Sequence, residues 1–212
     1  MVKDLLIVGA SGFGRGVLQW IKDINKIEKK WNVIGFLDDN LNALDGYECD
    51  YKVVGRITDC IPKKTDNFVI AIADPVVKER IVNEMEKKGA NFVSIIHPTA
   101  IIGDFNQFGR GVVIYPYTKV NVNTKVGNFV SLLTSDIGHD VTIKDFSTIA
   151  GLCSINGHVV IGKKVFVGSH VVVAPGKNIG DNAYVGNGSV VISNVQENYH
   201  VFGNPARRIV TI

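Results

Sequence analysis

The sequence predicts two joined parts: a small parallel α/β domain over residues 1–96 and a parallel β-helix over residues 97–212. Three observations predict this. Every sixth residue from Ile137 to Val191 is Ile or Val, without exception. Strand patterns alternate with helical ones through the first half of the chain. A glycine-rich turn joins the first strand to the first helix. A helix would space its apolar residues by three and four, and a half-buried strand by two. A period of six belongs to a coil of short strands, each pointing one side chain inward. β-branched residues suit such a pleated, half-buried wall.

Residues 4–10 read as a buried strand. Gly9, Gly12 and Gly14 follow in a G-x-x-G-x-G spacing, and Val17, Leu18, Ile21 and Ile24 mark a helix. Strand, turn and helix N-terminus together make a phosphate cradle: glycines admit close backbone approach, and the helix end offers free N–H groups and partial positive charge. Residues 32–36 form a second strand that runs into Asp38 and Asp39. An acidic side chain there accepts from a ribose hydroxyl, or simply ends the strand. Residues 51–55 and 68–73 are further strands. Pro75 fits a helix's first turn with Asp74 as its cap, and Val77, Ile81 and Met85 carry that helix on. Residues 91–96 are the last strand of this part. The unit is Rossmann-like but too short for a two-half dinucleotide fold, so a half-sized nucleotide site is expected. His97 and Pro98 mark the boundary, since a residue before proline favours extended backbone. His97 reads as a junction residue.

The period of six also runs upstream in a second frame: Ile102, Phe108, Ile114, Val120, Val126 and Leu132. The frames differ by one residue. The slip falls between Leu132 and Ile137, just before His139 and Asp140. It is either a shortened corner or a corner altered to present a functional group. The Gly, Asn and Asp that follow the wall residues suit corners that need positive φ. Three sixes per turn give roughly five coils. Asp140 and His158 then occupy equivalent places in adjacent coils, with backbones about 5 Å apart. His158 either pairs with Asp140 or is an ordinary corner residue. The tail around Phe202 to Arg208 reads as a cap on the open end, where uncovered strand edges invite association. Arg207 and Arg208 also suit contact with phosphates.

A net charge of +3 with scattered Lys and Arg gives no reason to expect a nucleic-acid partner. Three cysteines cannot complete a disulfide framework, which predicts a reducing compartment, and Cys153 reads as a small wall residue. The absence of a basic-then-apolar leader and of a long apolar run predicts a cytoplasmic protein with no membrane insertion. A zinc site would need His139, His158 and His170 to converge, but His170 falls on another wall, so no metal is expected.

The Gly9–Arg15 turn, Asp38 and Asp39, the repeats, Gly138-His139-Asp140 and Phe202-Gly203-Asn204-Pro205-Ala206-Arg207 meet in one chain. Together they resemble the sugar O-/N-acyltransferases of the sialic-acid O-acetyltransferase type, close to the UDP-4-amino-sugar N-acetyltransferases of bacillosamine-type pathways. The resemblance covers almost the whole chain. It implies a left-handed β-helix, a homotrimer with active sites between subunits, acetyl-CoA along the helix and a nucleotide-activated sugar on the N-terminal domain. It places Ser11, Gly12, Phe13, Asp38 and Asp39 against that sugar, and Gly157, Ser169 and Asn187 against acetyl-CoA. It makes His139 the general base and Asp140 its neighbouring carboxylate. Thr148 stands where some members carry a second histidine, and Leu132 where some carry an asparagine.

These residues suit acyl transfer. A neutral imidazole frees a nucleophile of its proton, a carboxylate on its other nitrogen fixes the tautomer, and a backbone N–H steadies the oxyanion. Gly157 is the best such donor, because glycine lets a thioester come close. The expected activity is acetyl-CoA-dependent acetylation of a nucleotide-linked amino sugar, a UDP-4-amino-4,6-dideoxy sugar above others, by direct attack. The alternatives are a sugar O-acetyltransferase acting on sialic acid or a polysaccharide precursor, an NAD(P)-binding regulator, and a non-catalytic nucleotide-binding scaffold.

Overall fold

A computed structural model describes residues 2–209. The chain opens with β1 (Lys3–Val8), α1 (Gly12–Ile27), β2 (Trp31–Leu37), β3 (Val53–Gly55), β4 (Asn67–Ile70), α2 (Pro75–Lys87) and β5 (Asn91–Phe92). The five strands form one parallel sheet in the order β3-β2-β1-β4-β5. The chain reverses direction across the sheet beside β1, so the carboxyl ends of β1 and β4 border a crevice, where open α/β sheets hold ligands. Val17, Leu18 and Ile21 bury one face of α1 on this sheet. Asp74 caps α2 as expected, its carboxylate accepting from Val76 N at 2.9 Å and Val77 N at 2.8 Å.

The stretch 91–96 is two strands in two sheets, not one. Asn91–Phe92 completes the α/β sheet, while Ile95–Ile96 opens the β-helix. Phe92 is buried with Ile81, Val82 and Met85 of α2, and Ile95 with Val17, Leu18 and Ile21 of α1.

The β-helix has three walls. Wall 1 starts at Ile95–Ile96 and includes Ser131–Leu132, Thr148–Ile149, Phe166–Val167 and Tyr184–Val185. Wall 2 includes Ile101–Ile102, Asp136–Ile137, Ser154–Ile155 and Val172–Val173. Wall 3 includes Gln107–Phe108, Thr142–Ile143 and Val160–Ile161. Five coils carry all three walls, and in a sixth Val195 makes only a single bridge to Ile179. The six-period residues fill the interior: Ile137, Ile149, Ile161, Val167, Val173 and Val185 have no exposed surface. Each such burial is worth about 1.5–3 kcal/mol. In the tail, His200–Phe202 extends wall 1 beside Tyr184–Val185 and pairs antiparallel with Arg207–Arg208, and Arg208 lies 4.0 Å over the Tyr199 ring.

The corners work differently from the expectation. The glycine just after a wall residue is needed for close stacking, not for positive φ. At Gly138 a Cβ would sit 2.8 Å from Gly157 N in the next coil. The left-handed residue comes two places later, and it is Asp140 (φ 57°), Phe129 (φ 56°), Leu152 (φ 61°) or His158 (φ 59°) as readily as Asn. The frame slip is a shortened corner. Wall pairing steps by seventeen at Ser131 and Thr148 and by eighteen at Asp136 and Ser154. The lost residue lies in corner 133–135, between walls 1 and 2. Ser135 Oγ closes that corner by donating to Ala150 O at 2.7 Å and accepting from Cys153 N at 3.2 Å. His139 stands at the following corner, after the strand Asp136–Ile137.

Candidate active site

Two candidate regions form, and they stand at different corners of the β-helix. The first is the corner between walls 2 and 3. Here Ile137 turns inward, Gly138 lies against the next coil, and His139 and Asp140 project outward. His139 Nδ1 donates to Asp140 Oδ2 at 2.7 Å. This hydrogen bond holds the Asp140 carboxyl below the usual carboxylate range; burial opposes it, and the nearby His158 charge adds a smaller pull in the same direction as the hydrogen bond. One coil on, Gly157 lies under the His139 ring, where a Cβ would be 2.6 Å from Nε2. A groove of about 310 Å³ opens here, lined by His139, Gly157, His158, Asp136, Ser154 and Asn156 among others. Asp136 and Ser154 were not singled out from sequence. Their signal is the coil repeat, which stacks them as the outward-facing pair of wall 2.

His139, Asp140 and His158 offer donors within 4.8 Å of one another. Ligands around a tetrahedral zinc at its usual 2.0–2.1 Å bond lengths stand about 3.3 Å apart. The 2.7 Å between His139 and Asp140 is an imidazole–carboxylate hydrogen bond instead. His170 lies at the corner between walls 1 and 2, so three histidines do not converge.

The second region lies at the corner between walls 1 and 2. Ser169 and Asn187 sit there one coil apart, with Ser169 N donating to Asn187 Oδ1 at 2.9 Å. They are not brought to Gly157. The β1–α1 turn docks at the same corner higher up, through Phe13 and Trp20 on Tyr115, with ring centroids 5.5 and 3.5 Å apart. Burial pushes the Tyr115 phenol well above its ordinary range. Ser11 is the N-cap of α1, yet its side chain makes no capping bond. Ser11 and Gly12 are exposed. Asp38 is tied to this turn, its Oδ2 accepting from Ala10 N at 2.8 Å and Oδ1 from Asn40 N at 2.9 Å. Asp39 faces away, accepting from Thr58 N at 3.1 Å.

Sequence reading missed Lys78. It is fully buried between α2 and wall 1, its ammonium donating to Thr148 Oγ1 at 2.9 Å and Ser131 Oγ at 3.2 Å. Thr148 in turn donates to Ala73 O at 2.7 Å. Burial pulls the Lys78 pKa down to about 7. A lysine on an amphipathic helix reads as solvated, so no local signal marks it. The Thr148 departure thus has a use, as a polar tie between the two parts of the chain.

Residues 4–85 match the family model described as the PglD N-terminal domain. The GDP-perosamine N-acetyltransferase of Escherichia coli O157:H7 is 30% identical over 177 residues, 80% of this chain and 77% of that protein. The chain belongs to the same acetyltransferase family. Among solved structures, PerB from Caulobacter crescentus in complex with CoA and GDP-perosamine has a TM-score of 0.88 at 20% identity, with 99% of each chain covered. WeeI from Acinetobacter baumannii AYE has a TM-score of 0.79 at 28% identity, covering 98% of this chain and 100% of its own. This acetyltransferase therefore has an α/β domain followed by a left-handed β-helix of the family type. Among the described residues of the acetyltransferase, no helix is long and apolar enough to cross a membrane.

Proposed function

We propose that this acetyltransferase transfers the acetyl group of acetyl-CoA to the amine of a nucleotide-linked amino sugar, with His139 as general base. The observation that carries the reading is the His139–Asp140 hydrogen bond of 2.7 Å, set above Gly157 in an open groove. The family relationship to a GDP-perosamine N-acetyltransferase supports the acceptor class. The nucleotide is UDP on the sequence resemblance and GDP on that relative, and the assay below separates them.

In the mechanism, Asp140 holds the Nδ1 proton, so Nε2 of His139 is the free basic atom. The sugar amine attacks the thioester carbonyl carbon. Nε2 accepts the amine proton as the C–N bond forms, and Asp140 stabilises the resulting imidazolium. The Gly157 N–H is the donor assigned to the oxyanion. Collapse breaks the C–S bond, and the imidazolium returns its proton to the leaving thiolate. No covalent enzyme intermediate is needed.

The nucleotide sugar is assigned to the β1–α1 turn, with Ser11, Gly12 and Phe13 at the phosphates and Asp38 and Asp39 toward the ribose and base. Unsatisfied N–H groups at the α1 N-terminus favour an anion. Gly157, Ser169 and Asn187 are assigned to acetyl-CoA. Because Ser169 and Asn187 flank wall 2 on one side and His139 on the other, one chain does not complete the site. A homotrimer packed through wall 2 would set one chain's first corner against its neighbour's second. Exposed Ile101 and Val172 on that wall support such packing.

The test is release of free thiol from acetyl-CoA with UDP-linked and GDP-linked 4-amino sugars and with free sialic acid, run beside His139→Ala. Turnover with an amino-sugar nucleotide, lost in the variant, is expected. Turnover only on a hydroxyl acceptor would move the acceptor to the O-acetyl branch. Undiminished turnover in His139→Ala would remove His139 as the base.

A further inference from the structure

Asp140 is shared by two imidazoles. Its Oδ2 accepts from His139 Nδ1 at 2.7 Å and lies 3.9 Å from His158 Nε2. The two rings meet edge to face, with centroids 5.0 Å apart and planes at 88°. The coil repeat builds this arrangement. Asp140 and His158 are the left-handed residues of the same corner in adjacent coils, and His158 N donates to His139 O at 3.0 Å. Gly157 leaves the space in which the His139 ring lies down beside His158. Half of the His139 side chain and two-thirds of the His158 side chain are exposed, at 51% and 66%, so both exchange protons with solvent.

Two imidazoles on one carboxylate titrate as a coupled pair. While His158 is neutral, Asp140 serves His139 alone and favours its imidazolium. Once His158 is protonated, it competes for the carboxylate and sets a second cation beside the His139 ring. Both effects oppose a proton on His139. We propose that His158 is a positioning residue that acts through Asp140 to keep His139 neutral to lower pH.

The other groups facing this cluster are few. Asp136 lines the same groove, Asn123 reaches Asp140 from the preceding coil, and Lys177 stands at the same corner one coil on. Asp136 is present equally with either state of His158. The positive charge of Lys177 persists throughout the range in which imidazoles titrate. Neither reproduces a change that depends on His158.

The experiment is an NMR titration of the histidine rings in the full-length protein and in His158→Asn and His158→Lys. Both replacements tolerate a left-handed corner, as Asn182 (φ 58°) and Lys164 (φ 54°) do elsewhere in the helix. His139 is expected to titrate about half to one pH unit higher in His158→Asn and lower by a similar amount in His158→Lys, the size expected of one partly exposed charge. The acid limb of kcat/KM should move the same way, since the kinetic part rests on His139 as base. An unmoved His139 titration, or a shift in the same direction in both variants, would overturn the proposal. Because the ring titration needs no substrate, its outcome is separate from any failure of the acetyl-transfer reading.

Discussion

The His139 imidazole lies over the α-carbon of Gly157, with its Nε2 edge crowding the place where the first side-chain atom of any other residue would be. Gly157→Ala puts that atom 2.6 Å from Nε2 and pushes the ring off its hydrogen bond to Asp140. The variant should fold, because the α-carbon faces an open groove. Its kcat is expected to fall about 10²-fold, as a misplacement of about 1 Å commonly costs. Steady-state kinetics beside a melting curve checks this. Full activity with an unchanged melting temperature would show that the ring has another resting place.

Asp140→Asn keeps the shape of the couple and removes its charge. An amide can donate to Nδ1 and turn the wrong tautomer toward the amine. A loss in kcat of about 10²–10⁴-fold is expected, by analogy with other carboxylate-supported imidazoles. KM for acetyl-CoA should change little. A kcat within twofold of the parent would leave Asp140 without a role.

Lys78 gives the protein a pH-dependent stability of unusual sign. Its folded pKa is about 7 and its ordinary value 10.5, so between those pH values the unfolded chain binds the extra proton. Stability therefore rises with pH across that window, by about 1.4 kcal/mol per unit at most. Below pH 7 both states hold the proton and the contribution is flat. Melting temperatures at pH 7, 8 and 9 should increase by a component that Lys78→Met lacks. Parallel curves for the two proteins would contradict it.

Asp38 braces the turn assigned to the nucleotide through Ala10 N and Asn40 N. Asp38→Ala frees both N–H groups and loosens the approach to α1. KM for the nucleotide sugar should rise about tenfold, in line with loss of one or two charge-assisted hydrogen bonds. KM for acetyl-CoA should hold. Equal effects on both substrates would point to general unfolding of the domain.

The division of the site between two corners predicts complementation. His139→Ala and Ser169→Trp should each be inactive alone. Co-expressed, the two variants would mix in the proposed homotrimer so that about a quarter of the interfaces join an intact His139 to an intact Ser169. Recovery of activity near that level is expected. No recovery would place the whole site within one chain.

Much of this was legible in the residues. The strict six-period of Ile and Val required a coil with one inward side chain per strand, because nothing else repeats at that spacing. The order strand, glycine turn, helix and acidic strand end specified the α/β unit. The pairing of His139 with Asp140 follows from adjacency at a corner, and the placing of His158 beside Asp140 from the coil repeat.

Tertiary structure decided the rest, for one physical reason. Sequence periodicity reports which way a side chain points relative to its own wall, but not what meets it from elsewhere in the fold. That Ile95–Ile96 leaves the first sheet depended on the partner strand Val113–Ile114. The shortened corner lies one strand before His139, as the seventeen-residue step from Ser131 to Thr148 and the eighteen-residue step from Asp136 to Ser154 show. Ser169 and Gly157 fall at separate corners because each coil turns between them. Lys78 reads as solvent-facing along α2 until wall 1 closes over it and supplies Ser131 and Thr148.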